Sequence, residues 1–354
     1  MKAAILKANR NIEIEDIQLP PLSDENVRVK IYSCGICGSD IPRVLSNGAH
    51  FYPLILGHEF FGEVVEVGKG VNSFKKGDFV VGIPLKPCFE CEDCKDGNFA
   101  LCKNYKFIGS SLNGAYCEMM DISKTNLFKI DSKIANPFCA LFEPSAVALH
   151  AIKLYDSIRG KNVAIVGGGT IGTLIANWAK IYGAKSITLF ERNLDNKDVY
   201  QRMGVQNVFV SSEEGFKDSL KASKLDKGFD MVFDAAGTQP TILFSLSIAN
   251  NKADVCLVGT PTKEVTFTQK QWEIINRKEL TLKGSWMCYS NPFPGDEWKE
   301  TNEKLLSKEL VFTKDYFAGI FKLEDAMKAF EFIEKGKDGK VGRCLLVMND
   351  ARIK

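Results

Sequence analysis

Hydrophobic and polar positions change their period along this chain, and the changes mark its parts. Up to about residue 150, the segments "VRVKIYSCG", "GEVVEVG", "DFVVGIPL" and "NLFKI" alternate or run apolar with β-branched residues, broken by Gly, Pro and Asn. This is strand patterning, and the density of turns predicts an all-β, barrel-like domain with long loops. From about 160 to 285 the pattern differs. "KNVAIVGGG" reads as a buried strand ending in glycines. "TIGTLIANWAKIYG" follows as a helix, with Ile171, Leu174, Ile175, Trp178, Ala179 and Tyr182 on one face and Gly183 as its stop. "KSITLFE", "VFVSS", "FDMVFDAAG", "ADVCLVGT" and "LTLKGSW" recur as strands between helical segments. Apolar strands alternating with helices predict a parallel, doubly wound sheet, so the chain as a whole is α/β. The tail holds a helical stretch, "LEDAMKAFEFIEKG", and a last strand, "GRCLLVM". There is no internal repeat.

Composition narrows the partners. The 354 residues carry a formal net charge of +2, with no basic excess that would favour nucleic acid or an anionic membrane surface. No apolar run approaches the roughly 18 residues needed to span a bilayer. The start, "MKAAILKANRNIEIEDIQLP", has neither the apolar core nor the small-residue cleavage site of a signal peptide, so a cytoplasmic protein is expected. The eleven cysteines are an odd number, and Cys34, Cys139, Cys256 and Cys344 sit among apolar or small neighbours. In a reducing compartment, clustered cysteines point to metal ligands or redox groups.

Two stretches carry recognisable chemistry. In "VAIVGGGTIG", Gly167, Gly169 and Gly172 have the spacing G-x-G-x-x-G between a strand and a helix, with Thr170 and Ile171 completing the turn. Such a turn lets a pyrophosphate approach the backbone and meet the helix N-terminus. The next strand ends at Glu191, whose carboxylate can accept hydrogen bonds from a ribose diol and would repel a 2′-phosphate. The expected cofactor is therefore NAD, although Arg192 next door could accommodate that phosphate. In "PCFECEDCKDGNFALC", Cys88, Cys91, Cys94 and Cys102 lie on one polar loop flanked by Lys86, Lys95 and Lys103. Four thiolates suit a closed, structural zinc site. A disulfide pairing and a C-x-x-C redox pair fit the compartment and the irregular loop less well. A nucleic-acid-gripping zinc ribbon is weakened by the balanced charge.

A dispersed set offers a second metal. Cys37 in "CGICGSD", His58 and Glu59 in "LGHEF", and Glu143 in "FEPSAVALHA" provide S, N and O donors, and a catalytic zinc takes about three ligands with an open position. Glu59 can bind the metal directly or stand behind it. Manganese or cobalt would also suit mixed donors.

Taken together, "GHEFFGEVVEVGKGV" with Gly57, His58, Glu59, Gly62, Gly68 and Val71, the "CGSD" step, the four-cysteine loop, the "EP" carboxylate and the later glycine turn resemble the zinc-containing medium-chain alcohol and polyol dehydrogenases. The resemblance covers nearly the whole chain. It implies a GroES-like catalytic domain at 1–150 completed by 290–354, and a Rossmann domain at 151–289. It also implies two zinc ions per subunit, one catalytic and one structural, and a homodimer or homotetramer. Ser39 resembles the family's proton-relay hydroxyl. A turn hydroxyl is its other reading. Where the common polyol pattern has a histidine two residues after the "CGSD" aspartate, this chain has Pro42, and His50 is a possible replacement. The segments "GSDIPRVLSNGAHFYP" and "KGSWMCYSNPFPGDEW" look most like members acting on a polyol phosphate. Arg43 and Lys86 are candidate cations for such a phosphate. Sorbitol, threonine or another secondary alcohol are the sister readings, and a zinc- and nucleotide-binding module without catalysis is the reading from another class.

Overall fold

The computed structural model describes residues 1–211, 220–221 and 227–348. The chain divides into two units, one made of Met1–Glu143 with Tyr289–Lys354 and one of Pro144–Cys288. Strands of the first stretch are β1 (Lys2–Ala8), β2 (Asn11–Asp16), β3 (Asn26–Ile36), β4 (Leu54–Ile55), β5 (Glu59–Val67), β6 (Phe79–Gly82), β7 (Leu85–Lys86), β8 (Lys106–Phe107), β9 (Met119–Ser123) and β10 (Leu127–Lys129). The second unit holds β11 (Asn162–Val166), β12 (Ser186–Glu191), β13 (Asn207–Val210), β14 (Phe229–Asp234), β15 (Ala249–Leu257) and β16 (Thr281–Gly284). The tail returns β17 (Phe317–Lys322) and β18 (Arg343–Val347) to the first unit.

β3 is the spine of the first unit. Val27, Val29 and Ile31 are fully buried and alternate with the half-exposed Arg28 and Lys30, as a sheet with one wet face requires. From Ser33 to Ile36 the strand is buried on both faces. It pairs antiparallel with β5, β9 and β18, and the sheet runs β10-β6-β5-β3-β18-β17. The sequence pattern does not announce β17; its half-exposed residues and a register shift beside Gly319 blur the alternation. Register is what builds the site. Gly35 lies opposite Glu59 of β5 and Leu345 of β18, so residues more than 280 positions apart meet at one point.

The second unit is a six-stranded parallel sheet in the order β13-β12-β11-β14-β15-β16, which is the expected doubly wound α/β fold. Val163, Ala164 and Ile165 of β11 are wholly buried, as a strand covered on both faces should be. The helix Thr170–Ile181 buries Leu174, Ile175, Trp178 and Ala179, the stripe seen in the sequence. β16 is an edge strand, and all four of its residues are exposed.

Candidate functional site

Cys37, His58 and Glu59 come together. One ligand atom from each lies within 4.8 Å of the others, and all three stand at strand ends or turns of the first unit. Cys37 follows β3, and its N–H donates to Asp40 Oδ2 at 3.1 Å. Gly57, whose positive φ makes the turn, is followed by His58, and Glu59 opens β5. Glu143 does not belong to this tight set. It is buried at the start of the helix Phe142–Lys153, near enough to interact electrostatically with Cys37 and His58. Ser39 is exposed at the N-cap of the helix Asp40–Leu45, and its side chain makes no capping bond. His50 lies exposed in a loop, and His150 on the helix Phe142–Lys153 is half-buried.

Residues that sequence reasoning did not single out surround the set. Asp40 is wholly buried; its Oδ2 also accepts from the Tyr116 hydroxyl at 3.1 Å, while Oδ1 has no hydrogen-bond partner and lies 3.8 Å from His58 Nδ1. Arg343 of β18 is buried and ion-paired with Glu59. A side chain at Gly35 would run into the Glu59 carboxylate and lie 3.2 Å from Arg343 Cδ, so the bare backbone there makes room for the pair. Nothing local in the sequence marks Arg343. Only the β3–β18 pairing brings it in.

The electrostatics leave positive charge missing. Cys37, Asp40, Glu59 and Glu143 are acidic groups, set against one buried guanidinium, Arg343. Burial pushes the Cys37 thiol up, but His58 and Arg343 beside it outweigh this and bring it down to about 6. Burial lowers His58, yet Asp40, Cys37 and Glu143 raise it to about 9. Burial lifts Glu143 to about 7 against the pull of His58. A group of donors that must borrow a proton for His58 to balance its own charge is one that a divalent cation would suit. The buried, unpartnered His58 Nδ1, Asp40 Oδ1 and Glu59 Oε2 agree with that.

The four-cysteine loop gathers in the same way. The sulfurs of Cys88, Cys91, Cys94 and Cys102 all lie within 4.8 Å of one another. None is paired in a disulfide, and the Cys88–Cys102 and Cys88–Cys94 sulfurs stand 3.5 and 3.9 Å apart. Backbone N–H groups of Cys88 and Cys91 donate to Cys102 Sγ and Cys88 Sγ, an arrangement that favours thiolates. Backbone N–H groups of Glu90 and Cys91 bring the Cys88 thiol down to about 6. Burial and the neighbouring cysteines lift Cys94 to about 12. Four sulfurs at this spacing fit one tetrahedral zinc. Lys86, Lys95 and Lys103 around the loop are exposed.

In the second unit, Gly167 takes φ +102° after β11, and a side chain at Gly172 would run into the Gly167 carbonyl, so strand and helix pack at backbone distance. Gly169, with open space around it, is the N-cap of the helix Thr170–Ile181 and leaves that helix's first N–H groups free of a side-chain cap. Glu191 ends β12 beside this turn: the Gly168 N–H donates to its Oε1 and the Arg192 N–H to its Oε2 at 2.9 Å.

A metal-ready Cys–His–carboxylate set on a β-rich unit, a four-thiol lobe and a glycine turn on a parallel sheet define a class, and the chain belongs to it: the zinc-binding dehydrogenases, oxidoreductases that use NAD or NADP. The family model "Alcohol dehydrogenase GroES-like domain" matches residues 23–132 and "Zinc-binding dehydrogenase" matches 170–307. Galactitol 1-phosphate 5-dehydrogenase of Escherichia coli (strain K12) is 35% identical over 348 residues, covering 98% of this chain and 100% of that one. L-threonine 3-dehydrogenase of Proteus mirabilis is 29% identical, covering 95% of this chain and 97% of that one. The crystal structure of galactitol-1-phosphate dehydrogenase from Escherichia coli superposes with a TM-score of 0.91 at 34% identity, over 98% of this chain and 100% of that one. Among the described residues no helix is long and apolar enough to cross a membrane.

Proposed function

We propose that the protein oxidises a phosphorylated polyol at a secondary alcohol, with galactitol 1-phosphate as substrate, tagatose 6-phosphate as product, and NAD as acceptor. The observation that carries the substrate class is Arg43. Its side chain is half-buried, donates to the Ser39 carbonyl at 2.7 Å and to Ser110 Oγ at 3.1 Å, and lies 3.6 Å from Asp40 Oδ1. That same Asp40 oxygen is 3.8 Å from His58, so a fork-shaped cation stands one residue away from the candidate metal set. The 35% identity to galactitol 1-phosphate 5-dehydrogenase supports the same reading.

Cys37 and His58, with a carboxylate from Glu59 or Glu143, would hold the catalytic zinc, and Cys88, Cys91, Cys94 and Cys102 the structural one. When bound, the catalytic zinc supplies a Lewis acid that makes a substrate hydroxyl more acidic. The reaction balances simply: the carbinol C–H bond breaks with its electron pair passing to the nicotinamide, the O–H proton is released, and a ketone and NADH result. The chain's own groups do the positioning. Ser39, exposed two residues past Cys37, takes the released proton toward solvent, since Pro42 has no side-chain group that could carry it. Asp40 orients the His58 imidazole, and Arg343 holds Glu59. Gly167, Gly169, Thr170, Ile171 and Gly172 present the helix N-terminus to the pyrophosphate, and Glu191 takes the ribose diol.

Eleven unpaired thiols suit a reducing compartment such as the cytoplasm. β16 is the proposed seam of a homodimer, because its exposed edge carries Leu282 and is followed by the exposed Trp286. The test of the substrate is a panel of galactitol 1-phosphate, galactitol, sorbitol and L-threonine followed by NADH absorbance, with wild type and Arg43→Ala. The reading expects galactitol 1-phosphate to be preferred and Arg43→Ala to lose activity on it far more than on galactitol. An equal loss on both removes Arg43 from the phosphate site, and preference for L-threonine replaces the substrate.

A further inference from the structure

We propose that Asp234 is a positioning residue for the nicotinamide half of the cofactor: its side chain and its main-chain carbonyl hold together the two turns, 235–238 and 258–259, against which that half lies. The inference rests on the nucleotide reading above and adds the part of the site that the glycine turn and Glu191 do not supply.

The strand order β13-β12-β11-β14-β15-β16 reverses between β11 and β14, and in such sheets a dinucleotide lies across the carboxyl ends of the strands at the reversal. Glu191 ends β12, on one side of that point, and draws the adenosine ribose there. A pyrophosphate at the glycine turn after β11 then sends the nicotinamide half the other way, over the ends of β14 and β15. The chain leaving β14 is fastened to this junction. The Ala235 N–H donates to the Val166 carbonyl at 2.9 Å, and a methyl group at Gly167 would lie 3.0 Å from Ala236 Cβ.

Asp234 closes β14. Met231, Val232 and Phe233 before it are wholly buried and apolar, and Asp234 is wholly buried with them. A carboxylate in such a place is costly unless it is hydrogen-bonded. Its Oδ1 accepts the N–H groups of Ala236 at 3.2 Å and Gly237 at 3.3 Å, which curls the turn 235–238 back onto the strand end. Its main-chain carbonyl accepts the N–H groups of Val258 and Gly259, both at 2.9 Å. One residue thus fixes both turns. They meet at bare backbone: a side chain at Gly237 would run into the Gly259 carbonyl carbon, and one at Gly259 into the Gly237 nitrogen. Removing the carboxylate releases the turn 235–238, whereas the glycine turn keeps its own bonds to Phe190 and Glu191 of β12. The loss therefore falls on one half of the dinucleotide.

The test is isothermal titration calorimetry with NADH and with ADP, which carries the adenosine and pyrophosphate but not the nicotinamide riboside. Wild type, Asp234→Ala and Asp234→Asn are compared, and the Kd values do not depend on turnover. Asp234→Ala is expected to raise the ratio Kd(NADH)/Kd(ADP) by about tenfold, the scale of one lost hydrogen bond to a charged group, with the ADP affinity nearly unchanged. Asp234→Asn keeps an acceptor oxygen for the two N–H groups and should hold the ratio within about threefold of wild type. A ratio for Asp234→Ala within about twofold of wild type, or below it, overturns the role of Asp234, including the case where both affinities fall together through a general loosening. An equal rise in Asp234→Asn and Asp234→Ala overturns it too, because the acceptor oxygen would then not matter. If wild type binds neither nucleotide, the nucleotide reading itself fails, whatever the variants do. Should Asp234→Ala not fold, Asp234→Ser, whose hydroxyl stops about one bond short of Oδ1, is read by the same ratio and the same thresholds.

Discussion

Glu59 and Arg343 face one another inside the first unit, 1% and 8% exposed, with Gly35 between their strands. Both groups are buried, so each charge depends on the other. Breaking such a pair leaves an uncompensated buried charge, whereas removing both is far milder. Arg343→Met should therefore destabilise the protein by about 3–5 kcal/mol, and Glu59→Gln added to it should recover much of that loss. Urea midpoints of the two variants decide it. A single variant as stable as wild type would mean that Glu59 is already neutral.

Asp40 works on His58 from behind. Its Oδ1 makes no hydrogen bond but lies 3.8 Å from Nδ1 and 3.6 Å from Arg43 Nη1, while its Oδ2 accepts from the Cys37 N–H and the Tyr116 hydroxyl. Asp40→Asn should weaken binding of the zinc held at Cys37 and His58 by about 10–100-fold, the usual cost of losing such an outer partner. Competition with a chromogenic chelator measures this. The zinc of the four-cysteine loop should be unaffected and serves as the internal control.

The four-cysteine loop is joined to the interior by aromatic rings. Phe89 and Phe99 from the loop meet Phe293, Phe293 stacks on Tyr289, Tyr289 stacks on Trp298, and Trp298 lies against Phe142, the residue before Glu143. Cys94→Ser should release the structural zinc and change Trp298 emission. The change should vanish when Trp298 is also replaced by Phe. An unaltered spectrum would show that the loop holds its shape without metal.

Asp78 is one source of acid sensitivity. Burial pushes this carboxyl up, but Lys129 at 2.8 Å and the Lys75 N–H at 3.0 Å outweigh it and hold it below the ordinary value. A depressed carboxylate stabilises the fold above its unfolded pKa, about 3.9, and that stability is lost as pH falls through the lower folded value. Because Lys129 is half exposed, the contribution is about 1 kcal/mol. Asp78→Asn should lower stability by that amount at pH 7 and by less at pH 3. Equal losses at both values would assign the effect to the turn alone.

Oligomer formation through β16 has a plain test. Leu282→Lys places a charge on the exposed edge and should shift the protein to monomer in light scattering, with the fold kept by circular dichroism. An unchanged mass would move the interface elsewhere.

What the sequence made legible was what lies close together along it. The strand–helix alternation of the second unit is local, and the helix Thr170–Ile181 buries the very stripe that spacing predicts. The four cysteines fall within one loop, so their convergence needs no knowledge of the fold. Cys37, His58, Glu59 and Glu143 were nameable as metal-binding types, but which of the two carboxylates joins the thiol and the imidazole was not: Glu59 does, while Glu143 stands outside the tight set. Asp40 was read only as part of a motif, and Arg343 not at all, because its place is set by the β3–β18 register rather than by any neighbour in sequence.

The proposed chemistry requires a metal ion between Cys37 and His58. Zinc should be counted by elemental analysis in wild type, Cys94→Ser and His58→Ala, with galactitol 1-phosphate-dependent NADH formation assayed alongside. About two zinc per chain are expected in wild type and about one in each variant, with turnover abolished in His58→Ala. One zinc in wild type, retained in full by His58→Ala together with activity, would contradict it.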